Sequence, residues 1–306
     1  MSNHNRPILV FGATGQQGGS VSGALSNAGW RVRAFVRDRN GSKALALQAN
    51  GIEVVQGAFA EPQTIRDAMS GVHGVFSVQP SSPGGTVTDE EEVGMGIAIA
   101  DLAVEAGVSH LVYSSGGAVG DVPTGMGHFD SKARIEAHIR TLPITATIVR
   151  PASFMEMLMM PGFGLDQGQF NFFMRPDQSM QFIAVADIGR FVAAIFANPA
   201  EFGGKTFEIA SDRVTGGELQ ALFSRTAGRP IAYQRFPEEV LAGNAFLAKL
   251  TALFDAGRLS GKADLEKLRV INPQMTTFAH WLETDGRELF RQALGTSGSW
   301  EYADRV

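Results

Sequence analysis

The stretch PILVFGATGQQGGSV, residues 7–21, constrains the fold more than any other part of the chain. A five-residue apolar run that stops on a glycine reads as a buried parallel strand, and a helical segment follows it to about Ala28. Between them stand Gly12, Gly15 and Gly18 in a G-x-x-G-x-x-G pattern, with Ala13, Thr14, Gln16 and Gln17 in the gaps. A strand, a glycine loop and a helix start bring backbone N–H groups and the positive end of a helix to a pyrophosphate. Gly12 would allow the tight turn, Gly15 the approach of the phosphates, and Gly18 close packing of the helix on the sheet. The spacing differs from the G-x-G-x-x-G form, and a bare glycine triplet also fits an ordinary strand-to-helix turn. What favours a dinucleotide site is its position at the head of a long βα series.

That series continues with RVRAFV (31–36), IEVVQ (52–56), GVFSV (74–78), HLVYS (110–114) and TATIV (145–149). Helix-like segments separate the runs. The clearest spans Asp89 to Ala106, with TDEEE at its positive N-terminal end and Gly107 as its stop. Strands alternating with helices imply an α/β fold, a Rossmann-type doubly wound parallel sheet covered on both faces. After Pro151 the rhythm breaks into SFMEMLMMPGFG and the short runs FNFF and MQFIAV. Asp187 is expected to cap a helix, DIGRFVAAIFA, that leads into the strand FEIA. From Thr215 the chain is mostly helical, with one strand-like run, IAYQRF. The expected division is a dinucleotide-binding domain over 1–152 with returning segments at about 182–212. A smaller, mostly helical lid domain for the substrate would take 153–181 and 213–306.

Composition narrows the function classes. None of the 306 residues is cysteine, which excludes disulfides, thiol catalysis and Cys-ligated zinc. The six histidines show no metal-ligand spacing, so no metal is expected. A net charge of −5 argues against nucleic acid as a partner. With no signal-peptide core and no run of about 18 apolar residues, a cytoplasmic protein without a membrane partner is expected.

The end of the second strand, FVRDRN, bears on the choice of dinucleotide. A carboxylate there suits the ribose diol of NAD, and an arginine suits the 2′-phosphate of NADP. Arg37 follows the strand directly and carries a fork suited to phosphate, which favours NADP. Asp38, by counting alone, stays open as a ribose carboxylate. Further on, GMGHFDSKARIEAH (125–138) stacks His128 one helical turn from Lys132, a pair that gains nothing from mutual attraction. Met155, Met157, Met159 and Met160 with Phe154 form a soft apolar segment, suited to an adaptable pocket or to plain core. Phe170, Phe172, Phe173 and Phe182 could close over a flat ligand but fit strand core better.

Taken together, FGATGQQGGSV, VVQGAF, HFDSK, VRPASFME and VADIGRFVAA fall in order across nearly the whole chain, which resembles the NmrA-like family of atypical short-chain dehydrogenases/reductases. HFDSK is most similar to the redox-sensor members. Quinone, triphenylmethane and isoflavone-type reductases are other relatives. The resemblance implies an NADP (NADPH) site built from Gly12 to Gln17, Arg37, Ala58–Phe59 and Gln79–Pro80. It also implies that Lys132 reaches the nicotinamide ribose and that Ser153, Phe154, Met155 and Glu156 line the nicotinamide end. Where relatives often hold the adenine amino group with an acidic residue, this chain has Ala58. Active short-chain reductases carry Tyr-x-x-x-Lys, and here His128 stands in the tyrosine's place. A neutral imidazole beside an ammonium is a poor proton donor, so His128 is either a weak acid or a helix-start histidine bonded to backbone. Ser114 and Ser115 lie near the polarising serine of reductases, with Ser115 the candidate and Gly116 one register away. Two functions follow: an NADPH-dependent reductase of a small, flat, apolar electrophile, or a non-catalytic NADPH/NADP sensor acting on a protein partner. Either could work as a monomer or a homodimer.

Overall fold

Strand β1 (Ile8–Val10) has all three side chains fully enclosed, because it runs through the middle of a sheet covered on both faces. The computed structural model describes residues 6–295. From β1 the chain runs through α1 (Gln16–Asn27), β2 (Val32–Val36), α2 (Ser42–Ala49), β3 (Glu53–Gln56), α3 (Pro62–Met69) and β4 (Gly74–Ser77). It continues with α4 (Asp89–Glu105), β5 (His110–Ser114), α5 (Gly127–Ile139) and β6 (Ala146–Pro151). Next come β7 (Ser153–Phe154), β8 (Gln169–Phe172), β9 (Ser179–Ile183), α6 (Val185–Ala197), α7 (Pro199–Phe202) and β10 (Thr206–Ile209).

The main sheet has seven strands in the order β10-β6-β5-β4-β1-β2-β3. β1 pairs in parallel with β2 on one side and β4 on the other. The order therefore reverses between β1 and β4, where open α/β sheets bind ligands beyond their carboxyl ends. All six strands expected up to residue 149 are present, most of them trimmed or extended by one or two residues. Helix α4 starts on a reciprocal cap: Thr88 Oγ1 accepts from Glu91 N at 3.2 Å, and Thr88 N donates to Glu91 Oε2 at 2.7 Å. One expectation is corrected. Helix α6 begins at Val185, so Asp187 is no cap; it is fully buried inside the first turn and pairs with Arg190 at 2.8 Å.

The chain divides into two compact units. One holds the described residues up to Arg150 with Val185–Phe207, and the other holds Pro151–Ala184 with the described residues from Glu208 on. The second unit adds β11 (Asp212–Thr215), α8 (Gly216–Ala227) and β12 (Ala232–Arg235). It ends in α9 (Glu238–Gly243), α10 (Ala245–Asp255), α11 (Leu265–Ile271), α12 (Phe278–Glu283) and α13 (Arg287–Gly295). Its strands form a three-stranded sheet, β11-β9-β7, and a two-stranded one, β12-β8. β11 is absent from the sequence-based scheme because DRVT lacks an apolar alternation. Its last residue, Thr215, is also the N-cap of α8. Phe170, Phe172, Phe173 and Phe182 are core residues, packed with Phe223, Phe278 and Trp281. Among the described residues no helix is long and apolar enough to cross a membrane.

His110 shows how tightly the first unit is closed. Thr147 Oγ1 donates to Phe202 O at 2.8 Å, so His110 Nε2, at 2.8 Å from the same hydroxyl, must be the donor to it. Nδ1 is buried without a partner, and the ring is neutral. Burial, with a smaller push from His73, lowers its pKa to about 4. The unfolded chain then binds the extra proton between about pH 6.5 and 4, so stability is retained above that window and lost as pH falls through it. A denaturant midpoint followed from pH 7 to 4.5 should fall. The His110 share is on the order of 2–3 kcal/mol, and His110→Phe should flatten that slope while lowering stability at pH 7.

Candidate functional site

The turn after β1 is shaped by what its glycines leave out. Gly12 has φ +66°, and a Cβ there would lie 2.8 Å from Val78 Cγ1 in the loop after β4. Gly15 N donates to Gly12 O at 2.8 Å and closes the turn. A Cβ on Gly18 would overlap the carbonyl of Gly12, so the first turn of α1 sits directly on the loop backbone. Gly15, the N-cap, has ordinary extended backbone and offers no side-chain cap. A Cβ there would approach only Gly12 O, at 3.2 Å. No acidic residue occupies the first turn of α1. Its positive end is therefore open beside the exposed Thr14, Gly15 and Gln16, an arrangement suited to a pyrophosphate. Ala13 is buried, and Gln17 Oε1 accepts from Ser114 Oγ at 2.7 Å, tying the loop to the end of β5.

Arg37 is exposed at the end of β2 and makes no hydrogen bond or ion pair among the described residues. Its neighbour differs: Asp38 Oδ1 accepts from Asn40 N at 2.9 Å, in a turn of its own loop. Ala58 N donates to Thr64 Oγ1 at 3.2 Å. The Phe59 ring lies over Phe11, centroids 6.0 Å apart, and beside Phe35 at 5.9 Å, so the core holds this loop. Gln79 Nε2 donates to Ser77 Oγ at 2.7 Å, and Pro80 is exposed.

Helix α5 presents His128 and Lys132 on one face, and its start is built by Asp130. That carboxylate accepts from Thr124 N, Thr124 Oγ1 and Gly125 N at 2.7–2.8 Å. His128 is half-buried with its ring on Phe129, 4.0 Å between centroids. Burial first and the Lys132 charge second push its pKa down to about 4 against Asp89 and Asp130, so it is neutral at pH 7. Lys132 Nζ donates to Glu92 Oε1 at 2.5 Å, to Ser81 Oγ at 3.0 Å and to His128 O at 3.0 Å. Glu92 is 1% exposed, and its second oxygen accepts from Ser131 at 3.0 Å and Ser81 at 3.2 Å.

At the end of β5 the structure separates three neighbours. Ser114 is bound to Gln17. The Ser115 hydroxyl is buried and outside ordinary hydrogen-bond geometry, yet near enough to influence Glu136. Burial raises the Glu136 carboxyl, and Arg150, with Ser115 and Arg140, brings it below the usual range. The residue beside Lys132 is Gly116, where a Cβ would lie 3.6 Å from Lys132 Cδ. This neighbour of the lysine, at the end of β5, carries no hydroxyl. Tyr113 is fully buried, its hydroxyl without a hydrogen bond, and burial followed by Glu92 and Glu136 raises its pKa far above the usual value. Tyr233 donates to Met174 O inside the second unit, and Tyr302 lies outside the described residues.

Ser153 and Phe154 form β7, half-buried and paired with β9; Glu156 is also half-buried. Met155 is fully enclosed in the apolar core of the second unit, as are Leu158 and most of Met159, whereas Met157 is 40% exposed. Among the described residues no three His, Asp or Glu side chains are grouped to hold a metal ion. Sequence reasoning missed Glu92 and Ser81. A signal existed for Glu92: it falls on the buried stripe of α4 with Gly96, Ile99 and Ala103, where a solvated acid does not belong.

A glycine cradle at the switch point of a parallel sheet is the arrangement of a dinucleotide-binding protein. The NmrA-like family profile matches residues 4–279. The chain is 31% identical over 257 residues to the NmrA-like family domain-containing oxidoreductase lnaB of Aspergillus flavus, covering 76% of this chain and 77% of that one. It is 30% identical over 228 residues to the NAD(P)H azoreductase of Xenophilus azovorans, covering 74% and 76%. The crystal structure of NmrA, a negative transcriptional regulator, in complex with NADP superposes with a TM-score of 0.77 at 20% identity, covering 94% and 97%. The chain belongs to the NmrA-like family, a family of NAD(P)-binding oxidoreductases.

The two glycines of the cradle should fail differently. Gly18→Ala forces backbone apart and should lower the thermal midpoint by about 4–10 °C. Gly15→Ala should leave the midpoint within about 2 °C but weaken dinucleotide binding about tenfold or more, as read by NADPH fluorescence titration.

Proposed function

We propose that this protein is an NADPH-dependent reductase that acts on small, flat, apolar electrophiles, namely quinones, enones or dye cations, with water supplying any proton. NADPH, when bound, supplies a hydride. The observation that carries the reading is that, among the described residues, no tyrosine or protonated histidine stands as an acid beside Lys132. His128 is neutral at pH 7, Tyr113 and Tyr233 are enclosed, and a glycine stands next to Lys132. A simple ketone gives a strongly basic alkoxide and needs an acid in place. A dye cation needs no proton, and a quinone or enone leaves a stabilised anion that water can protonate. The similarity to an NAD(P)H azoreductase supports a dye-like acceptor.

Preference for NADPH rests on the end of β2. Asp38 is engaged in its own turn, whereas Arg37 is exposed with all its donors available to a 2′-phosphate. NADPH should bind at least about tenfold more tightly than NADH, since charge-assisted phosphate contacts contribute on the order of 1.5–3 kcal/mol. Arg37→Ala should remove most of the difference. Equal affinities for the parent protein would return Asp38 to the ribose.

The reaction itself is tested with a panel of acceptors and NADPH absorbance. Quinones, enones or cationic dyes should be reduced and unactivated ketones hardly at all. His128→Phe should cost less than about tenfold in rate, the low end of what a general acid contributes. Ketone reduction that vanishes in His128→Phe would make His128 a true acid. Tight NADPH binding with no acceptor reduced would favour the sensor function.

A further inference from the structure

Lys132 carries three N–H donors, and all three are engaged within its own unit. As it stands, the ammonium has no donor left for a nicotinamide-ribose hydroxyl. One partner has to give way, and the three are unequal. Glu92 is an anion enclosed between α4 and α5, and a charge-assisted bond is roughly twice as strong as a neutral one. His128 O belongs to the same helix, four residues back, and cannot leave without unwinding its turn. Ser81 is a neutral hydroxyl on the loop after β4, just ahead of the short turn Ser82–Gly84. Chemically it is what a ribose hydroxyl is, an sp³ alcohol that accepts from the ammonium. When Lys132 releases it, Ser81 still has Glu92 Oε2, at 3.2 Å.

The carboxylate that would hold Lys132 during this exchange is fixed by packing. A Cβ on Gly96 would lie 2.5 Å from Ile135 Cδ1, so α4 and α5 approach closely at that level. One turn earlier on each helix, Glu92 meets Lys132 and Ser131. Glu92 also sits on the buried stripe of α4, so its charge has no outlet to solvent.

We propose that Glu92 is a positioning residue that fixes the Lys132 ammonium, and that Ser81 is the partner a nicotinamide-ribose hydroxyl replaces when the dinucleotide binds. This rests on Lys132 as the ribose ligand. It makes Ser81 a competitor of the cofactor rather than a ligand, and it makes Glu92 necessary without its touching the cofactor.

The test compares two probes by titration: NADPH, and 2′,5′-ADP, which has the adenosine half but no nicotinamide ribose. Ser81→Ala frees one donor and should tighten NADPH by about threefold, within the ~2–10-fold worth of one neutral hydrogen bond, leaving 2′,5′-ADP unchanged. Glu92→Gln keeps the shape and removes the charge; it should weaken NADPH about tenfold or more and leave 2′,5′-ADP within about twofold. Damage to the fold would weaken both probes together, so the ratio separates positioning from structure. If Glu92→Gln does not fold, Glu92→Asp, which keeps the charge but draws it back from the ammonium, is read by the same probe ratio, and an unchanged ratio there overturns the positioning role equally. Weaker or unchanged NADPH binding in Ser81→Ala overturns the exchange, and an unchanged probe ratio in a folded Glu92→Gln overturns the positioning role. Lys132→Ala with undiminished NADPH affinity would remove the ribose ligand itself, and with it the proposal. Weakened NADPH in Lys132→Ala beside an unaltered Ser81→Ala would leave that ligand standing and sink only the exchange.

Discussion

The first turn of α1 rests on the backbone of the loop it follows, at Gly18 over Gly12, and the rest of the site depends on that contact. Backbone against backbone leaves no side chain to yield, so the geometry is set by two missing Cβ atoms. From it follow the direction of α1, the opening of its N–H groups beyond β1, and the seat of Gln17 against Ser114. The reversal of strand order between β1 and β4 brings Val78 against the same turn, so the loops after β1 and β4 brace one another. A phosphate-binding cradle has to be stiff, because flexible N–H groups would lose entropy on ordering.

Charge inside the first unit is arranged around a second constraint. On the neighbouring helices α4 and α5 two carboxylates, Glu92 and Glu136, are enclosed, and each faces cations: Lys132 for the first, Arg150 and Arg140 for the second. Tyr113 lies within the influence of both, which, added to burial, keeps its phenol protonated far beyond neutral pH. Buried ion pairs are weak contributors to stability but leave a costly unpaired charge when one partner is removed. Their value here is positional. They fix where an ammonium stands, while the histidine on the same helix face is held neutral by burial and by that ammonium.

Much of the first unit was legible because the central parallel strands, buried on both faces, are written as apolar runs, and six strand-like runs with helices between them leave little choice of architecture. HFDSK was legible as a helix face, and the glycine triplet as a turn. The acids of TDEEE were not. They look alike in sequence, yet Glu91 closes the capping box, Glu90 pairs with Arg134 at the surface, and Glu92 is enclosed on Lys132. Asp187 likewise has the look of a cap and is instead a buried partner of Arg190, because α6 starts one half-turn earlier. In the second unit the short strands carry weak patterns, and β11 escaped notice because its residues are mostly polar.

The sequence by itself determined the α/β class, the succession of strands along the chain up to β6, the cradle and the lack of a Tyr-x-x-x-Lys pair, since periodicity, glycine spacing and a missing residue type are all local properties. Only the tertiary structure decided that Gly116 stands beside Lys132, while Ser114 is bound to Gln17 and the Ser115 hydroxyl is buried. It alone decided that Asp38 turns back on its own loop while Arg37 stays open, and that the lysine's three donors are already engaged. Those outcomes depend on how closely α4 and α5 approach and on one residue of register at a strand end. Both are set by packing between segments distant in sequence, to which local pattern is blind.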